Sequence, residues 1–172
     1  MTLVFDIETD GLLQDLTQLH CISIFDTETN TILSYNDTGA KEPIIRGIQR
    51  LEDADRIVGH GIINFDIPAI RKIYGWFCPP NDVIDTLLLS RLFLPNMMEV
   101  DKKTNKDGMP MLCYGRHSLE SWGYRVGEYK GNFAKDTDWK EWSQAMEDYC
   151  EQDVRVTLKT CETFRPYLSG SK

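Results

Sequence analysis

A chain of 172 residues is long enough for one domain built on one hydrophobic core, and a composition 41% apolar and 27% charged excludes a low-complexity or collagen-like polymer. Its longest apolar runs, such as residues 87–89 and 93–94, fall far short of the roughly 18–20 residues of a membrane helix. The formal net charge of −8 argues against a passive nucleic-acid binder, which gains affinity by neutralising phosphates with Lys and Arg. It leaves open an acidic protein whose carboxylates hold divalent cations, since bound cations reverse the local sign. The N-terminal stretch carries acids almost at once and has no basic region, so no signal peptide is expected. Five cysteines (Cys21, Cys78, Cys113, Cys150, Cys161) are scattered, odd in number and never in a C-x-x-C pair. They read as small, partly buried hydrophobes in a reducing cytosol, not as a disulfide framework or zinc site.

Residues 2–7 alternate with period two and are rich in β-formers, which predicts a strand. Residues 19–25 and 31–35 predict two more around a turn at 26–30, so the first three strands form an antiparallel meander. Residues 44–51 carry apolar side chains at helical spacing (Ile44, Ile45, Ile48, Leu51), followed by a strand at 56–60. A helix is predicted at 65–74, where Pro68 is tolerable only in the first turn. A brief strand at 83–84 leads into a helix at 85–94. Residues 95–116 are polar, with Gly108, Pro110, Lys102, Lys103 and Lys106, and read as a long excursion or mobile loop. A short helix at 117–124, a loop at 127–138 and a long helix at 139–164 complete the chain. In that last helix Trp142, Ala145, Met146, Tyr149, Asp153, Val156, Thr157 and Thr160 are expected to share one face. The order of elements predicts a single α/β domain over residues 1–172, a mixed sheet flanked by helices.

The carboxylates stand out against this frame. Asp6 and Glu8 are two apart on a predicted strand and so project from the same face, among apolar neighbours Val4, Phe5 and Ile7. Like charges side by side in such a setting are costly unless a cation lies between them. Asp66 opens a helix, where backbone N–H groups and the helix dipole favour an anion. Tyr149 and Asp153, at i and i+4, share the apolar face of the last helix. Each feature alone has an ordinary structural explanation. Together they supply the oxygen donors that Mg²⁺ or Mn²⁺ prefers, and phosphodiester hydrolysis can use two such ions about 4 Å apart.

On these residues the chain resembles the tyrosine-bearing branch of the DEDD 3′→5′ exonuclease superfamily. The first motif is Asp6-Ile-Glu8-Thr9-Asp-Gly-Leu12, the second Asn64-Phe65-Asp66 and the third Tyr149-Cys-Glu-Gln-Asp153. Residues 84–92, 117–125 and 127–131 are similar to the intervening stretches of proofreading domains in family A DNA polymerases, particularly those of short-tailed phages. The resemblance implies a ribonuclease H-like fold and a two-ion Mg²⁺ (or Mn²⁺) site. In that site Asp6, Glu8 and Asp153 hold one ion, Asp6 also reaches the second, and Asp66 acts largely through its waters. It further implies that Tyr149 orients the attacking water and that Thr9, Leu12, Asn64 and Phe65 meet the terminal nucleotide. One departure is Ile62, at a position where cellular relatives often carry Asn.

The resemblance implies hydrolysis of single-stranded or frayed DNA 3′ ends to nucleoside monophosphates, in the cytoplasm of a host if phage-encoded. No polymerase domain is expected within these residues, and a separate DNA polymerase is a candidate partner. Lys102, Lys103, Lys106 and Arg116 are candidates for steering the strand. His60 is expected to be structural and His117 to start a helix or meet a phosphate. Two other readings use the same residues: an RNA 3′ exonuclease of the same superfamily, and a non-catalytic module recruiting a replication protein.

Overall fold

The computed structural model describes residues 1–128 and 138–170, so the loop expected at 127–138 lies largely outside the described residues. Strands β1 (Thr2–Thr9), β2 (Leu19–Asp26) and β3 (Thr31–Asn36) pair antiparallel as the expected meander. Helix α1 (Ile44–Glu52) carries the chain over to β4 (Arg56–Gly59), which lies parallel to β1 on its other side. Helix α2 (Asp66–Ile73) then leads to β5 (Asp82–Asp85), parallel to β4, giving the order β3-β2-β1-β4-β5. This is the mixed α/β sheet predicted from the sequence, with β1 at its centre.

The period of two in β1 sorts its side chains onto opposite faces. Leu3, Phe5 and Ile7 join Ile22 and Ile24 of β2 in a core closed by Ile44, Ile48 and Leu51 of α1 and Ile67 and Ile70 of α2. Val4, with Val58 of β4, instead packs on Val154 of the last helix. Asp6 and Glu8 share the parity of Val4 and therefore lie on the face that the last helix covers.

Helices α3 (Thr86–Phe93), α4 (Met97–Thr104), α5 (Leu119–Val126) and α6 (Gln144–Leu168) complete the described residues. Two sequence readings are corrected here. Residues 95–116 contain α4 and a short 3₁₀ turn at Met111–Cys113. The stretch looked polar because only Met97 and Asp101, one turn apart, are buried on α4. Met97 packs into a second core with Leu119, Trp122, Val156 and Phe164. Asp101 accepts from Arg125 Nε (2.9 Å) and Nη2 (2.8 Å) and from the Gly115 N–H (2.8 Å), which ties the excursion to α5.

The last helix begins at Gln144, not at residue 139. Ser143 is its N-cap, its hydroxyl accepting from the Met146 N–H. Trp142 therefore lies outside the helix and Ala145 is exposed, while the buried face runs through Met146, Glu147, Cys150, Asp153, Val154 and Val156. Among the described residues no helix is long and apolar enough to cross a membrane.

The Asp101–Arg125 pair gives a direct test of how the excursion is held. Both side chains are nearly inaccessible, at 1% and 8% exposure. Burial alone would raise the Asp101 pKa, but Arg125 and the Gly115 N–H together hold it below the usual carboxylate value. Asp101→Ala should cost about 3–5 kcal/mol in urea unfolding at neutral pH, because Arg125 is left buried without its counter-charge. A depressed carboxylate contributes stability above its unfolded pKa, about 4, and loses it as pH falls through the lower folded value. The gap between wild type and variant should therefore narrow on acidification below about pH 4; a constant gap would rule out the ion pair as its source.

Candidate active site

The end of β1 delivers the first two carboxylates. Asp6 faces Ser23 and Glu8 faces Cys21 across the antiparallel ladder, and the register slips between Glu8 and Thr9. This irregularity ends the pairing and turns the chain out toward the solvent edge. Glu8 is buried and Asp6 half-buried.

Asp66 arrives through a tight turn after β4. A Cβ on Gly59 would lie 2.1 Å from Ile62 and 3.2 Å from the Phe5 carbonyl, so only glycine lets the turn pass so near β1. Gly61 follows with φ +80°, and its carbonyl accepts from the N–H groups of Asn64 (3.1 Å) and Phe65 (3.2 Å). The turn is stapled by a carboxylate to which no catalytic role was assigned from sequence. Asp85, at the end of β5, accepts from the N–H groups of Gly61 (2.8 Å) and Ile63 (3.2 Å), and also caps α3 through Leu87 (2.9 Å) and Leu88 (3.4 Å). Sequence placed it at the start of a predicted helix, within the family-like stretch 84–92, and its partners 22–24 residues upstream are visible only in the fold.

The Asp66 carboxyl that results is buried and receives its own N–H and that of Ile7, the residue between Asp6 and Glu8. Burial raises its pKa to about 7, the negative charges of Asp85 and Asp153 add to the rise, and the two N–H groups oppose it. Asp153 reaches the same region from α6 and is itself buried.

Polar anchors set how α6 is turned against the sheet. Glu147, with no exposed surface, accepts from Asn36 Nδ2 at the end of β3 (2.5 Å) and pairs with Lys41. One turn on, Glu151 accepts from Ser34 Oγ (2.7 Å). This rotation aims Cys150 at β1, where its thiol donates to the Asp6 carbonyl (3.3 Å). Burial pushes the Cys150 thiol pKa well above its ordinary value, with Cys21 and the charges of Asp6 and Glu8 contributing.

Beside Glu8 lies a cleft of about 310 Å³ lined by Glu8, Thr9, Gly11, Leu12, Phe65 and Trp139. The 10–18 loop that presents Leu12 is fixed by Asp10, which accepts from the N–H groups of Thr17 (2.8 Å) and Gln18 (3.1 Å), and by Lys72, which donates to the Leu13 and Gln14 carbonyls. Thr9 Oγ1 donates to the Gly11 carbonyl (2.8 Å), and Leu12 stands 74% exposed at the cleft. Trp139 forms the far wall and was missed in sequence because its segment was assigned to the helix. His20 Nε2 donates to the Trp139 carbonyl (2.8 Å), and the Trp139 ring meets the Tyr149 ring edge-on, at 6.4 Å and 74°.

Of the residues predicted from sequence, the fold thus gathers Asp6, Glu8, Asp66 and Asp153, sets Tyr149 against Trp139, and places Thr9, Leu12 and Phe65 on the adjoining cleft. Asn64 is exposed on the turn and is not among the cleft's lining residues. Lys102, Lys103 and Lys106 are exposed. Arg116 lines a separate cavity with His60, Arg91 and His117. His60 hydrogen-bonds Thr86 (2.8 Å) and His117 hydrogen-bonds Ser90 (2.6 Å), structural contacts for both. A larger cavity, about 460 Å³, lies at the opposite end of β1, around Thr2, Val4, Arg56 and Val58. It contains none of these carboxylates, so size is a poor guide to the chemistry here.

The donor set fits a hard divalent cation. Four carboxylates from three elements meet in a largely buried corner, where like charges require protons or a cation. The raised pKa of Asp66 reflects burial first and its acidic neighbours second, and oxygen donors of this kind suit Mg²⁺ or Mn²⁺.

A match to the RNase_H superfamily runs over residues 3–164. The chain belongs to the RNase H superfamily. It is 33% identical over 184 aligned positions to the DNA-directed DNA polymerase of Escherichia phage T7, an alignment covering 93% of this chain and 26% of the polymerase. The chain thus spans about a quarter of the length of the curated relatives it matches. Among solved structures, Brucella melitensis NrnC with bound Mg²⁺ superposes with a TM-score of 0.61 at 20% identity, over 98% of this chain and 75% of that one. Escherichia coli RNase D, an exoribonuclease involved in structured RNA processing, superposes at 0.56 and 16% identity, over 96% and 41% of the two chains. At such identities the superpositions speak for the fold. The resemblance to exonuclease domains drawn from the three motifs accordingly extends over nearly the whole chain.

The Asp85 staple is open to a stability test. Asp85→Ala removes one carboxylate from four N–H groups and should lower stability by about 2 kcal/mol or more. An unchanged unfolding midpoint would show that solvent satisfies the turn instead.

Proposed function

We propose that this chain is one exonuclease domain, residues 1–172, that removes nucleotides from DNA 3′ ends with the help of two Mg²⁺ or Mn²⁺ ions. The observation that carries this reading is the convergence of Asp6, Glu8, Asp66 and Asp153 beside a cleft sized for one nucleoside. Asp6, Glu8 and Asp153 are the direct ligands in this reading, and Asp66 acts mainly through water. Bound there, the cations supply Lewis-acid stabilisation of the charge that develops on the phosphate oxygens.

The chain's own residues do the rest. Leu12, Phe65 and Trp139 offer apolar and aromatic surface to the terminal base, Thr9 and Gly11 line its backbone side, and Asn64 extends the contact from the exposed turn. The Tyr149 phenol orients a water toward the phosphorus; that water adds, the P–O3′ bond breaks, and a nucleoside 5′-monophosphate leaves. A cleft of one-nucleoside size beside the carboxylates suits a strand end. The net charge of −8 suits a site that meets phosphate through bound cations. The DNA assignment draws on the 33% identity to a phage DNA polymerase, and a DNA polymerase is the partner this relationship suggests. Such a role would place the protein in the cytoplasm of a phage host.

Incubation with 5′-labelled single-stranded DNA and Mg²⁺ should give a ladder shortening from the 3′ end, lost in EDTA and in the Asp6→Ala, Glu8→Ala double variant. An intact oligomer with either Mg²⁺ or Mn²⁺ would instead favour a non-catalytic recruitment module. Faster degradation of a matched RNA would reassign the substrate. Tyr149→Phe should lower kcat by about 10²-fold with little change in KM. Trp139→Ala should do the reverse: losing one base-stacking platform worth about 1–3 kcal/mol raises KM roughly 5- to 150-fold. If Trp139→Ala leaves KM unchanged, the cleft does not hold the base.

A further inference from the structure

The corner occupied by Asp6 and Glu8 contains a third donor that the exonuclease reading does not use. Cys150 has no exposed surface, and its Sγ and one carboxylate oxygen from each of Asp6 and Glu8 all lie within 4.8 Å of one another. The thiol comes from α6 and the carboxylates from β1, so two independently anchored elements bring the three atoms together. The Glu147 and Glu151 contacts hold α6 in this rotation, and the Cys150 S–H···O=C bond to Asp6 fixes the sulfur at the strand.

Mg²⁺ and Mn²⁺ take oxygen ligands and have little use for sulfur, whereas Zn²⁺ and Cd²⁺ bind thiolate strongly. Zinc accepts sulfur at about 2.3 Å and carboxylate oxygen at about 2.0–2.2 Å, distances that small side-chain adjustments would reach from this spacing. We propose that Asp6, Glu8 and Cys150 form a site for a thiophilic divalent cation, which occupies the corner in place of the oxygen-ligated ion and blocks hydrolysis. The inference rests on the reading of Asp6 and Glu8 as metal ligands and adds sulfur to their set. On binding, the thiol gives its proton to solvent, the sulfur forms the metal bond, and its hydrogen bond to the Asp6 carbonyl is given up. No oxidation or reduction is involved. The same two carboxylates cannot serve both kinds of ion, so the identity of the cation decides whether the enzyme works.

The test uses the full chain carrying Cys78→Ser, which removes the exposed thiol. Titration with Cd²⁺ should raise the ultraviolet thiolate-to-Cd²⁺ charge-transfer band and saturate at one equivalent, while Mn²⁺ raises none. Cys150→Ala and Cys150→Ser should both lose the band and bind Cd²⁺ at least about tenfold more weakly, yet bind Mn²⁺ in calorimetry as the parent does. In parallel, the Zn²⁺ concentration that halves Mg²⁺-supported hydrolysis should rise at least about tenfold in both variants. Circular dichroism guards against misfolding, and the serine variant keeps the test meaningful if alanine leaves a damaging cavity. A band that survives loss of Cys150, or no band in a protein that binds Mn²⁺, overturns the sulfur site alone. A protein that binds neither cation overturns the carboxylate metal site as well.

Discussion

Carboxylates repel one another, and this protein brings four of them, three buried, to one end of its central strand. Separated in sequence by as many as 147 positions, Asp6 and Asp153 can stay near each other only because packing elsewhere holds their backbones in place. Three anchors do this. The apolar residues of β1 that alternate with Asp6 and Glu8 lock that strand between α1 and α2 on one face. Asp85 staples the turn before Asp66, and the Asn36–Glu147–Lys41 contacts fix the rotation of α6.

The same constraint accounts for the unusual electrostatics. In water, Asp66 would titrate near 4; here burial and its acidic neighbours carry it to about 7. A corner that favours protons this strongly also favours cations. On the proposed function, that preference reconciles a net charge of −8 with a polyanionic substrate, since bound ions would supply positive charge at the site. The cleft beside this corner is lined largely by uncharged groups: Leu12 on its stapled loop, Phe65 before Asp66, and Trp139 held by His20.

Trp139 and Cys150 show how α6 joins these functions. Trp139 packs on Tyr149 and Cys150 follows that tyrosine, so the placement of all three side chains depends on where α6 starts and how it is turned. A start five residues earlier, as the sequence pattern suggested, would have drawn Trp139 into the helix and away from its bond to His20.

Local chemistry determined a good deal by sequence alone. Alternation in residues 2–7 gave the central strand, and the parity of Asp6 and Glu8 gave one shared face; both follow from the period of a strand. The order of strands and helices gave the mixed sheet, and the second and third motifs pointed to Asp66 and Asp153 as the remaining acids. Three features were settled only by tertiary structure. The excursion at 95–116 is ordered because Asp101 finds Arg125, a partner 24 residues away that polar composition cannot reveal. Helix α6 begins at Gln144 because Ser143 caps it while His20, on β2, holds the chain ahead of it in place. Cys150 joins Asp6 and Glu8 because polar contacts to β3 choose the face of α6 that meets the sheet. Periodicity records which side chains prefer burial, but the partner that buries them comes from a distant part of the chain and appears only once the chain has folded.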